Sequence, residues 1–123
     1  MNSEIIEGLL PFFFRHQLLL KLFHFQTKSY GAHKASDAYL SGFLANMDKF
    51  MEVAQGEFGT VTNPGIYIDA QALTDDTIVS ELDAFVRIMH KLDPIVLPHP
   101  GLQAIRDELI ADASQLKYLL TFK

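Results

Sequence analysis

The chain has 123 residues, 49% of them hydrophobic, with no cysteine and a formal net charge of −5. That length suits one domain able to bury roughly two-thirds of its unfolded surface, and ten Phe make it too apolar for a disordered chain. The missing Cys removes a disulfide framework, a thiolate metal site and a Cys nucleophile, and the lack of any Lys/Arg run argues against nucleic-acid binding.

A first helix is predicted over about Ser3 to Thr27, with Ser3 as its cap and Glu4 and Glu7 at the positive end of the helix dipole. Pro11 marks a kink or a later start. The stretch Leu9 to Phe25 is the most hydrophobic, but Arg15, His16, Gln17, Lys21 and His24 interrupt it, which excludes a membrane span. Glu4 and Glu7 also stand where a secretory leader would be basic. A soluble protein of the cytoplasm (a host's, if the protein is viral) with no membrane partner is expected.

The second helix is predicted over Ala32 to Gln55, after a break at Tyr30–Gly31, with Gly56 and Gly59 ending it. Gly59 to Leu73 is longer than an ordinary bundle loop and reads as a crossover along the bundle length. Within it Ile66–Tyr67–Ile68 reads as an extended wall segment or a short strand. A third helix starts at a Thr74 cap followed by Asp75 and Asp76, carries Ile78, Leu82, Phe85 and Met89 at helical spacing, and stops before Pro94. Asp93 to Pro100 is a proline-punctuated linker, and a fourth helix runs from about Gly101 to Leu120. The whole chain is therefore read as a single all-α domain, a four-helix bundle with one long crossover between the second and third helices.

The second helix holds the residues that suggest chemistry. Leu40, Leu44, Met47 and Met51 are read as its inward stripe. On a wheel of about 100° per residue with Asp37 at zero, His33 falls near −40°, Asp48 near +20° and Glu52 near +60°, on that stripe or its border. Burying ionised carboxylates costs several kcal/mol each unless they are paired or bind a metal. Lys34 and Lys49, near +60° and +120°, lie toward the edge, so a metal is the economical explanation. His33 and Asp37 are one turn apart, as are Asp48 and Glu52, but about 16 Å of rise separates Asp37 from Asp48. One ion cannot touch both pairs on one straight helix. Two copies packed antiparallel about a two-fold axis near Gly42–Phe43 would bring the upper pair of one to the lower pair of the other, and the small Ala38, Ser41 and Ala45 would permit close approach. His24, brought near by the Lys28–Gly31 link, would complete a His/His/Asp half-site. Such a donor set suits iron, manganese or zinc. His16 and Gln17 are candidates for supporting contacts, although His16 is more readily a structural histidine. His90 and His99 read as surface residues, and Asp107–Glu108 as solvated charges.

The run from His24 through His33 to Asp37, followed by Asp48, Glu52 and Gly56, resembles the Dps-like ferritins, or mini-ferritins. The resemblance covers roughly Arg15 to Gly56, and Phe25 stands where that family usually has Trp. Arg15-His16-Gln17 and the wording Leu22 to Tyr30 are similar to small ferritin-like proteins of phages and large DNA viruses. The resemblance implies a ferritin-like bundle and a homo-oligomer built on a two-fold dimer through the second helix. It also implies a site where His24, His33 and Asp37 of one chain meet Asp48 and Glu52 of its mate. Iron is the metal it implies, with ferroxidase-type oxidation of Fe(II) or iron sequestration as the activity. The alternative is a non-catalytic helical bundle, a viral accessory or assembly protein with a vestigial site.

Overall fold

The computed structural model describes residues 2–122, and these form five helices and no strand. They are α1 (Asn2–Gln26), α2 (Tyr30–Phe58), α3 (Ile78–His90), the single turn α4 (Asp93–Val96) and α5 (Pro100–Leu119). Helix α1 runs unbroken through Pro11. The break before α2 falls at Thr27–Ser29, two residues ahead of the expected one, because Ser29 caps the helix: its Oγ accepts the Ala32 N–H at 3.1 Å. This satisfies one of the donors every helix start leaves free. Gly59 ends α2 at φ 101°, a left-handed conformation open to Gly, while its N–H still reaches the Gln55 carbonyl at 3.0 Å.

The segment between α2 and α3 contains no helix and crosses the length of the bundle. At one end the Thr27 hydroxyl donates to Asp75 at 2.6 Å, tying the end of α1 to the approach to α3. At the other, His99, just before α5, lies 3.5 Å from Glu57 and edge-on to Phe58 at the end of α2. So α2 and α3 run the same way, α1 and α5 the opposite way, and the long connection joins the parallel pair. Helix α3 begins at Ile78 rather than Thr74, because Thr74 instead caps a tight turn, its Oγ1 accepting the N–H groups of Asp76 and Thr77. Ile66–Ile68 form neither helix nor strand, and part of the expected linker after α3 is the turn α4.

Five fully buried phenylalanines, Phe13, Phe23, Phe43, Phe50 and Phe85, supply the bulk of the core. Phe13 sits edge-on to Phe43 and Phe50 at 6.1 and 5.9 Å, and Phe12 stacks on Phe85 at 5.6 Å. Each such pair contributes about 0.5–1.5 kcal/mol beyond its buried area. The inward face of α2 differs from the expected stripe. It runs through Ala32, Ser36, Tyr39, Leu40, Phe43, Met47, Phe50, Met51 and Ala54, while Leu44 is 40% exposed. The aromatic trio Tyr39, Phe43 and Phe50 rotates the buried meridian by about 50° from the aliphatic stripe. Asp37, Asp48 and Glu52 consequently face outward on the single chain, with no burial cost to be met there.

Candidate functional site

The end of α1 and the start of α2 are joined by a reciprocal pair of histidines. His24 donates Nδ1–H to the His33 carbonyl at 2.9 Å, and His33 donates Nδ1–H to the His24 carbonyl at 2.8 Å. The rings stack with centroids 4.0 Å apart and planes 17° from parallel. Buried Ser36 reinforces the pair, its Oγ lying 3.2 Å from His24 Nδ1 and donating to the His33 carbonyl at 3.1 Å. A carbonyl only accepts, so the proton of each neutral ring is held on Nδ1 and the lone pair is left on Nε2. Metal-ligating histidines have their tautomer fixed in this way. His24 Nε2 points toward Asp37 Oδ1 at 4.0 Å. That is too long for a hydrogen bond, yet within the span that two donors about 2.1 Å from one ion can bridge. Exposed Phe25 and Tyr30 flank the two rings.

His24 is thus brought to His33 and, less closely, to Asp37, and Asp48 and Glu52 are not brought to them. Those two lie further along the exposed side of α2 and make no ion pair within the chain among the described residues. Within one chain no group of three or more His, Asp or Glu side chains among the described residues is gathered to hold a metal ion. Holding a metal ion at this point would therefore require donors from elsewhere.

His16 belongs to a different structure. It is fully buried, stacked 4.1 Å from the Phe85 ring, with Nδ1 2.8 Å from Glu81 and Nε2 2.7 Å from the Tyr39 hydroxyl. A neutral ring satisfies both contacts: Nδ1–H donates to the carboxylate and Nε2 accepts from the phenol. Burial pulls the imidazole below its ordinary value, against the opposing pull of Glu81. Burial works to raise the Glu81 carboxyl, but the His16 contact and the Arg15 guanidinium, 3.4 Å away, outweigh it and hold that carboxyl low. Burial also pushes the Tyr39 phenol up, so it stays protonated. With both ring nitrogens engaged, His16 pins α1 to α2 and α3 instead of supporting His24 or His33. Half-buried Gln17 makes no side-chain hydrogen bond among the described residues to any of the five candidate ligands.

Sequence reasoning missed Glu81, Tyr39 and Ser36. For Glu81 a signal was present, since it falls among Ile78, Leu82 and Phe85 on the apolar stripe of α3, where an acid needs a partner. No comparable signal marks Ser36, whose partners are a ring nitrogen and a backbone carbonyl. Buried Arg106 ties the end of α3 to the start of α4, reaching the Met89 carbonyl at 2.8 Å and Asp93 at 2.7 Å. A groove of about 770 Å³ between α1 and the crossover is lined by Pro11, Phe12, Arg15 and Tyr67 among others, and by none of the five candidate ligands. No helix among the described residues is long and apolar enough to cross a membrane.

An all-helical bundle with a histidine-pinned hairpin is the class of structure these residues build. Residues 24–120 match the family described as "Family of unknown function (DUF5856)", and the chain belongs to that family. It is also similar to the "Uncharacterized 14.6 kDa protein in mobD-ri intergenic region" of Enterobacteria phage T4. The two are 37% identical over 102 residues, which is 81% of this chain and 75% of the phage protein. The family match begins at His24 and takes in every candidate ligand. No solved structure matches the chain.

Proposed function

We propose that the chain is a ferritin-like, Dps-like metal-binding protein whose site is shared by two copies across α2. His24, His33 and Asp37 of one copy form half of the shell, and Asp48 and Glu52 of the second copy form the other half. The reciprocal His24–His33 lock supports this reading, since it fixes both Nε2 lone pairs and leaves that of His24 facing the exposed Asp37 carboxylate. The donor set of imidazole and carboxylate without thiolate fits iron, with manganese and zinc as alternatives. Bound iron would supply redox chemistry toward dioxygen or peroxide. The chain's part is to hold the imidazoles in one tautomer and to balance cationic charge with Asp37, Asp48 and Glu52. Ferroxidase-type oxidation of Fe(II), or iron sequestration, is the activity that follows.

The test is to mix the pure protein with Fe(II) under anaerobic conditions, admit oxidant and follow Fe(III) absorbance. Wild type should exceed the protein-free blank, and Asp48→Ala/Glu52→Ala should fall to it. Wild-type traces that coincide with the blank would leave a second reading. In it the protein is a non-catalytic phage-type accessory or assembly bundle, and the paired histidines are only a clasp between α1 and α2. The two Nδ1–H bonds by themselves supply such a clasp.

A further inference from the structure

Among the described residues no other element covers the outward face of α2: Lys34, Asp37, Ala38, Ser41, Leu44, Ala45, Asp48, Lys49 and Glu52 are all exposed. Helices α1 and α5 take its other sides. Lys34, Asp48, Lys49 and Glu52 make no ion pair within the chain among the described residues. Two geometric facts order these charges. Lys34 and Glu52 are about five helical turns apart and therefore lie on one line along the helix. They are also equidistant from Phe43, each about 13 Å away along the axis.

We infer that this face docks a second copy of the chain, antiparallel about a two-fold axis beside Phe43, and that Lys34–Glu52 ion pairs set the register. The inference rests on the two-copy arrangement of the proposed function. A two-fold perpendicular to the plane of the two helix axes carries each residue to the same side of the partner helix at the mirrored height. Lys34 of each copy then meets Glu52 of the other, so charge complementarity is satisfied twice. Ser41 and Ala45 face one another at the centre and let the backbones approach. In the same register Asp37 of one copy comes close to Asp48 of the other, with about 1.5 Å between their axial heights. These like charges repel without a cation. The apo dimer is therefore held by Lys34–Glu52 and opposed by Asp37–Asp48, and a divalent cation at the second pair would strengthen it.

The interface and the metal can be separated by experiment. Chelator-treated protein is examined by sedimentation equilibrium as wild type, Lys34→Glu, Glu52→Lys, Lys34→Glu/Glu52→Lys and Asp48→Asn. Every site is exposed, and far-UV circular dichroism checks that each variant is folded. Each single reversal replaces two attractions by two repulsions and should raise the dimer Kd by about tenfold or more. The charge-swapped double variant should return to within about threefold of wild type, and Asp48→Asn should dimerise more tightly than wild type. A double variant as weak as the single reversals, or a wild type that stays monomeric at all concentrations, overturns the inference. Co(II) binding then reads the proposed function independently. The double variant has lost Glu52 as a ligand, so it should dimerise and bind Co(II) weakly. A wild type that passes the charge-swap test and binds no Co(II) leaves the interface standing and removes the metal reading.

Discussion

Replacing Glu81 by alanine removes the only acceptor on α3 for the buried His16 Nδ1–H. The carboxylate accepts a short hydrogen bond of 2.8 Å from a fully buried ring and a weaker contact of 3.4 Å from the half-exposed Arg15. A hydrogen bond to a charged acceptor contributes about 1.5–3 kcal/mol net, and a buried donor left without a partner costs about 1–3 kcal/mol, two estimates that overlap. The exposed Arg15 end adds less than about 1 kcal/mol. Glu81→Ala should therefore destabilise the fold by about 3 kcal/mol, or about 12 °C in Tm for a domain of this size. Glu81→Gln keeps an acceptor and should lose only about 1 kcal/mol. The triple replacement His16→Phe/Tyr39→Phe/Glu81→Leu removes every buried polar member at once and leaves only the exposed Arg15. It should fall within about 1 kcal/mol of wild type, because apolar side chains of similar size need no partners. Urea and thermal unfolding followed by circular dichroism measure all three. A Glu81→Ala loss below about 1 kcal/mol, or a triple variant less stable than Glu81→Ala, would refute the view that α1, α2 and α3 are pinned by a fully satisfied network.

The same network sets a pH dependence. The folded state keeps His16 neutral below its ordinary value of 6.5 and Glu81 ionised below its ordinary value of 4.5, so unfolding takes up protons in acid. Stability should be fully present above pH 6.5, decline as pH falls below it, and decline further below 4.5 as Glu81 protonates. The triple apolar variant should show a flatter profile in equilibrium unfolding across that range. Gly8 is exposed on α1, and a Cβ placed there meets nothing within 4 Å. Gly8→Ala should therefore stabilise by about 0.5–1 kcal/mol, read as a higher urea midpoint with an unchanged slope. Ser36→Ala removes the hydroxyl that steadies the His24–His33 pair. It should weaken Co(II) binding by about 10–100-fold while far-UV circular dichroism stays native, and an unchanged affinity would show that the two backbone carbonyls suffice.

The four long helices, their approximate limits and the long connection between α2 and α3 were legible in the chain because they depend on local signals, whereas the single turn α4 was read as linker. Serine and threonine caps, glycine stops and the 3.6-residue period act within a few residues of where they are read. The spacing of His33, Asp37, Asp48 and Glu52 along α2 was legible for the same reason. Which side of α2 faces the core was not. The aliphatic residues Leu40, Leu44, Met47 and Met51 point to one meridian, while Tyr39, Phe43 and Phe50 pull the buried side away from it by about 50°. That rotation carries Leu44, Asp37, Asp48 and Glu52 to the surface. Only packing against α1 and α5 resolves the competition, through the volume of the aromatic rings. Tertiary structure also decided which polar groups meet. Glu81 reaches His16 across 65 residues of sequence, and His24 and His33 lock each other through backbone carbonyls that every residue carries. A periodic pattern records which side of a helix is apolar, but a hydrogen-bond partner is defined by distance in the folded chain.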